Sequence, residues 1–248
     1  MIHTKNNIYF AGSMTEIQCI DAIISYLTGL DSRITCDTTT SAQYADSSNT
    51  ATFNFSIDGK YIIRLKRNSA NSSITRSWTW SNIVNGVAVA DVSINMWRYP
   101  ILPTGDIEES HNLIVDSCIG QEEILLWMQS DYIGTRFNSG LVKDENSTDC
   151  YAGYSGGSSS YSSLLNGSWY RCADCASGYT FPNMINFAAP AGHISYSTIA
   201  PMTCSGVLTL YAKDILSCST VARGSSISLP GGVNYYAIET NHMIKLDM

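Results

Sequence analysis

A chain of 248 residues, 44 % of them hydrophobic, is long enough and apolar enough to bury a core without a disulfide or metal staple. Its formal net charge of −7 argues against a nucleic-acid backbone as partner, and charged residues make up only 14 %, against about 25 % in ordinary soluble domains. No apolar run approaches the ~20 residues of a membrane-spanning helix, and the opening MIHTKNNIYFAGS lacks the apolar centre of a secretory leader, so neither membrane nor export is expected.

The first element predicted is a helix over about residues 14–28. Ser13 is a suitable N-cap with Glu16 three residues on, the spacing of a capping box. Ile17, Ile20, Ile23, Ile24 and Leu27 recur at helical period, and Gly29 is placed to end the run.

After the helix the period changes to two. In TFNFSIDGKYIIRLKR, Phe53, Phe55 and Ile57 share one face, Asp58-Gly59 forms a two-residue turn, and Tyr61, Ile63 and Leu65 return. Lys60, Arg64, Lys66 and Arg67 then read as a solvated strand face rather than a phosphate-binding patch. A second hairpin is predicted around Asn85-Gly86. NLIVDSCI reads as a strand, and EEILLWMQ as a strand or a short helix.

Residues 138–168, rich in Ser, Gly and Tyr, are expected as an exposed loop, polar-faced strands or a boundary. They separate a helix-plus-hairpin region over 1–137 from a C-terminal β region over 169–248, which one continuous domain also accommodates. The last hairpin turns at Pro230-Gly231-Gly232. The fold class expected is mainly β, a sandwich or barrel of antiparallel strands, with one N-terminal helix.

Eight cysteines are present: Cys19, Cys36, Cys118, Cys150, Cys172, Cys175, Cys204 and Cys218. Cys172 and Cys175 have C-x-x-C spacing and are the candidate metal ligands, with Cys150 and Cys204 available to complete a site. No second close pair supports zinc. The Gly- and Pro-containing ASGYTFPN rules out the helix that a thioredoxin-like pair requires. Plain buried thiols are therefore favoured over metal or disulfide, and no cofactor is expected.

GYSGG, Gly153 to Gly157, matches G-x-S-x-G with Ser155 at its centre. The flanking DENSTDCYA and SSSYSS do not make a strand–elbow–helix, and no upstream His and Asp stand in a trypsin-like setting. A serine hydrolase using Ser155 is the remote alternative, and no enzyme activity is expected. Of the four histidines weighed as partners, His3 and His111 lie upstream and His193 and His242 downstream, the latter two without an evident acid. Glu108-Glu109 and Glu122-Glu123 are adjacent acids that point to opposite sides of a strand, so each pair reads as a solvated turn or strand end.

Trp78 and Trp80 share one strand face, as two sugar-stacking residues would, although core or interface packing is the commoner use of such pairs. With Tyr235 and Tyr236 they are the candidate ligand or interface aromatics.

The two ends carry a resemblance. IYFAGSMTEIQCIDAIISYL, a strand-like lead into a capped helix, and the closing GGVNYYAIETNHMIKLD hairpin resemble small structural proteins of tailed-bacteriophage virions. The resemblance implies a non-enzymatic subunit of a tail, baseplate, neck or head, located in the virion. Its implied partners are copies of itself and other virion proteins. A receptor- or glycan-binding β-module at a fibre or baseplate tip, meeting a host surface glycan, is the rival expectation.

Overall fold

The computed structural model describes residues 1–37, 51–67, 78–97, 106–132, 134–157, 163–181, 196–197, 209–218, 221–229 and 231–247. Cys204, His193 and Pro230 lie outside them.

The chain opens with β1 (Ile2–Phe10) and α1 (Glu16–Leu30), then β2 (Ile34–Asp37), β3 (Thr52–Ile57), β4 (Tyr61–Arg67), β5 (Trp78–Val84) and β6 (Val87–Ile94). The middle comprises β7 (His111–Ile119), β8 (Ile124–Ser130), β9 (Arg136–Lys143), β10 (Cys150–Gly157), β11 (Ser168–Arg171) and β12 (Ser177–Tyr179). The last strands are β13 (Tyr196–Ser197), β14 (Ile215–Cys218), β15 (Ser226–Leu229), β16 (Val233–Glu239) and β17 (His242–Leu246). The fold is mainly β with a single helix among the described residues. Among the described residues every strand pairing is antiparallel, in three open sheets. None closes into a barrel, so of the two forms expected it is the layered one that is found.

The seven-stranded sheet, in order β1-β7-β8-β9-β10-β11-β12, is the central layer. Strand alternation sends its side chains to two different cores. Leu113, Val115, Leu126, Met128, Phe137 and Ala152 face one way, into a core shared with α1 and the sheet β2-β3-β4-β5-β6. Leu125, Trp127, Val142, Tyr151 and Trp169 face the other way, meeting Ile215, Ile238 and Ile244 of the sheet β13-β14-β17-β16-β15. Burial on both faces is why EEILLWMQ shows no alternation and was open to a helical reading; residues 124–130 are strand β8.

Most of the predicted elements fall close to their expected places. Asn85 and Gly86 have φ of 47° and 78°, the left-handed pair that a two-residue hairpin demands, and Val84 pairs with Val87. At the first hairpin Ile57 pairs with Tyr61, so the connection is three residues long rather than two. Asp58 and Gly59 both take positive φ there, and Asp58 N–H donates to the Arg33 carbonyl at 2.8 Å.

The helix begins later than predicted. Thr15 is its N-cap, and Thr15 and Gln18 form the capping box: Thr15 Oγ1 accepts from Gln18 N at 3.3 Å and Gln18 Oε1 from Thr15 N at 2.8 Å. Met14 is held outside by a turn, its N–H donating to Ala11 and its carbonyl accepting from Ile107. Cys19, Ile20, Ile23 and Leu27 are the buried stripe, while Ile17 and Ile24 pack at its margin. The helix continues through Gly29 to Leu30.

The cationic strand face is also corrected. Lys60 and Lys66 are exposed, but Arg67 is buried against Glu16 at 3.5 Å, tying β4 to the first turn of α1. The position 137/138, expected as a boundary, falls inside β9, and residues 150–157 form β10. A turn at Thr240-Asn241, absent from the sequence reading, separates β16 from β17. The two ends of the chain pack together: Asp247 N–H donates to the Met1 carbonyl at 2.9 Å. No helix among the described residues is long and apolar enough to cross a membrane.

Candidate functional site

The C-terminal sheet covers part of one face of the central layer and leaves a groove beside β1. The floor comes from alternate residues of four neighbouring strands: Lys5 on β1, Asp116 on β7, Trp127 and Gln129 on β8, Arg136 and Asn138 on β9. Arg223, Gly224 and Tyr236 form the wall, and the cavity measures about 270 Å³.

Two contacts fix the wall to the floor. The His3 ring stacks on Tyr236 with centroids 3.9 Å apart, and His3 Nε2 lies 2.7 Å from Asp116 Oδ1. The second is a buried knot around Glu239. Its Oε1 accepts from Trp127 Nε1 at 3.1 Å and from the backbone N–H groups of Leu164 and Leu165 at 2.5 and 3.1 Å, and its Oε2 accepts from Ser163 Oγ. Burial raises the Glu239 pKa, and these donors oppose the rise. Glu239 thus holds Trp127, and with it the back of the groove, by hydrogen bonds that a neutral side chain would satisfy less fully.

The structure separates the residues singled out from sequence. Trp78 and Trp80 are fully buried, stacked or tilted against Phe53, Phe55 and Phe137, so they fill the core and offer no surface to a ligand. Tyr236 lines the groove, whereas Tyr235 packs beside Ala237 and Met243 in a separate small cluster. Cys172 and Cys175 are half-buried, and burial pushes the Cys172 thiol up to about 12. Cys172 N–H donates to the Cys150 carbonyl at 2.8 Å, so these two cysteines are cross-strand neighbours. Among the described residues no group of three or more His, Cys, Asp and Glu is placed to hold a metal ion.

Ser155 lies in mid-strand on β10, and its Oγ accepts from Asn138 Nδ2 at 3.0 Å. His–acid pairs do exist, which the sequence reading missed: His3–Asp116 at 2.7 Å, His111–Asp131 at 3.6 Å and His242–Glu239 at 3.8 Å. The first shares a sheet with Ser155 but is out of its reach. β1 and β10 are four strands apart, roughly 19 Å at ordinary strand spacing. The glycines of GYSGG have packing roles instead. Gly153 pairs across strands with Trp169, and a Cβ there would meet the indole ring at 2.4 Å.

Of the adjacent acids expected to be solvated, Glu123 is not. Glu122 pairs with Lys143 at 2.5 Å, whereas Glu123 is buried. Burial first, and Asp214 second, push the Glu123 pKa up to about 7.

The other notable surface is the outer edge of β1. It is a nine-residue strand paired along its whole length with β7, and no strand pairs with its far side among the described residues; only Met1, just before it, bonds outward, to Lys245 and Asp247. Thr4 turns its carbonyl toward β7, where Ser117 Oγ reaches it at 3.3 Å, while Asn7 N–H takes the side chain of its own neighbour Asn6 at 2.9 Å. The odd-numbered backbone groups of β1 therefore face outward. Ile2 and Tyr9, 66 % and 59 % exposed, flank that edge.

Comparison of the chain with protein-family models, with curated proteins and with solved structures finds no match to any of them.

Proposed function

We propose that this chain is a non-enzymatic structural subunit that works through contacts with copies of itself and with other proteins of an assembly. The observation that carries this is the open edge of β1. A long strand with unpaired backbone groups and exposed apolar side chains is a template for strand addition, and natural proteins ordinarily cover or shorten such edges. A second copy of β1 fits it by symmetry, since an antiparallel two-fold pairing brings the outward groups of one strand to those of the other. The low charge of the chain, 14 % of residues, supports the same reading. A tailed-phage virion, in its tail, baseplate or neck, is the setting proposed, on the resemblance of the two ends alone. Burial of Trp78 and Trp80 takes away the aromatic pair that favoured a glycan-binding module.

The test is sedimentation and mass photometry of the purified chain, alone and with particle extract. Asn7→Pro deletes one outward N–H and leaves the bonds to β7 in place. Wild type should assemble and the variant should not. A wild-type chain that stays monomeric in both conditions and is absent from purified particles overturns the proposal.

A further inference from the structure

The groove is positive in a chain whose net charge is −7. Lys5, Arg136 and Arg223 face it, against one carboxylate, Asp116, among the described residues. That carboxylate is already engaged by His3 through Oδ1 at 2.7 Å, and its Oδ2 lies 3.9 Å from Arg223 Nη2. A separation of 3.9 Å is a Coulombic contact and not a hydrogen bond. The Arg223 guanidinium, the Lys5 ammonium and the Gln129 amide thus keep their donors for solvent or a ligand, with no hydrogen bond to another described residue. The two arginines also feel each other: burial first, and the Arg223 charge second, lower the Arg136 pKa.

We infer that this groove binds a small oxyanion, a carboxylate, phosphate or sulfate group, held by Arg223 and Lys5 beside the positive charge of Arg136. The planar Arg223 guanidinium presents paired N–H donors that match two oxygens of such a group, and an anion bound there offsets its repulsion with Arg136. Charge and not stacking does the recognising. One face of Tyr236 is taken by His3, and Trp127 is 4 % exposed with its N–H committed to Glu239. The cavity of about 270 Å³ equals the volume of about nine waters, small beside pockets for drug-sized ligands. It suits one acidic group on a small body. The inference stands apart from the assembly proposal, because the groove lies on the sheet face and not on the strand edge.

Isothermal titration of the full chain with sodium phosphate, sodium sulfate and sodium glucuronate tests it, with sodium chloride at matched ionic strength and glucose as comparisons. Saturable binding of at least one of the three oxyanions is expected, with none for chloride or glucose. The phosphate and glucuronate arms then tell a phosphoryl source from an acidic sugar. Arg223 sits in an exposed turn, so Arg223→Gln should fold and bind about tenfold more weakly or worse, whereas Lys213→Gln, outside the groove, should bind as wild type. No saturable oxyanion binding in the millimolar range, equal binding of glucose and glucuronate, or an unchanged affinity in Arg223→Gln overturns the inference.

Discussion

Gly153→Ala tests why the G-x-S-x-G match exists. A methyl group at this position would lie 2.4 Å from Cε2 and Cζ2 of Trp169 and 2.6 Å from its Cδ2. Ordinary carbon contacts are about 3.5–4.0 Å, so the ring has to retreat by roughly 1 Å. It has little room to do so. Trp169 is fully buried, packs edge-on against Phe181 at 5.1 Å, and lies with its Cη2 3.2 Å from where a Cβ on Gly140 would stand. Gly140 and Gly153 are cross-strand partners, so together they form a flat floor under the indole. Overpacking of this kind costs about 1–3 kcal/mol, and exchanging a strand glycine for alanine returns about 0.5–1 kcal/mol. The expected net loss is about 1–2 kcal/mol, a fall in Tm of roughly 2–8 °C for a chain of this size. Urea unfolding followed by tryptophan fluorescence measures it. Trp169→Leu empties the space above the glycine, so Gly153→Ala should cost nothing in that background, a coupling of about 1 kcal/mol or more. If Gly153→Ala is as stable as wild type, or costs the same with and without Trp169, the glycine is not there for the ring.

Glu123 makes stability depend on pH. Its folded pKa of about 7 against 4.5 means that between those values the folded chain keeps a proton that the unfolded chain has lost, so stability falls as pH rises through that window. Glu123→Gln should remove a loss of about 3 kcal/mol, read as the difference between urea midpoints of variant and wild type at pH 5 and pH 8. Fluorophosphonate probes should leave Ser155 unlabelled, because its hydroxyl partner is Asn138 and the His3–Asp116 pair is four strands away; labelling lost in Ser155→Ala would contradict this. Native thiol titration should be slow at Cys19 and Cys172, both pushed up to about 12 by burial, and should become fast on unfolding. Fast reaction of these two in the folded chain would show that they are more accessible than their packing indicates.

Local signals in the sequence were legible where local physics decides. Asn85-Gly86 forms its turn because both residues must take positive φ, and Phe53, Phe55 and Ile57 alternate because one face of β3 is buried. The helix start was ambiguous for a physical reason: Ser13/Glu16 and Thr15/Gln18 are overlapping capping boxes, and the bond from Ile107 to Met14 favours the second. β8 was ambiguous because a strand buried on both faces carries no period. Residues 138–157 read as loop-like because glycines that make room for Trp169 and Val92 have the composition of a turn. The groove was invisible. Lys5, Asp116, Arg136 and Arg223 come from four distant parts of the chain, and the order of strands in the sheet, which no local spacing encodes, brings them together.

The pairing of β1 with β7 has a consequence for synthesis. Ile2 lies opposite Ile119 and Phe10 opposite His111, so β1 leaves the ribosome and waits for about a hundred further residues before its partner exists. At translation rates of about 5–20 residues per second that wait is roughly 5–20 s, far longer than the microseconds in which a hairpin closes. Throughout it both edges of β1 are open. On a polysome, where neighbouring nascent chains carry the same strand, the interval favours pairing between chains before either has folded. The lysine and asparagines at its centre are then a kinetic safeguard, keeping the strand soluble until β7 arrives.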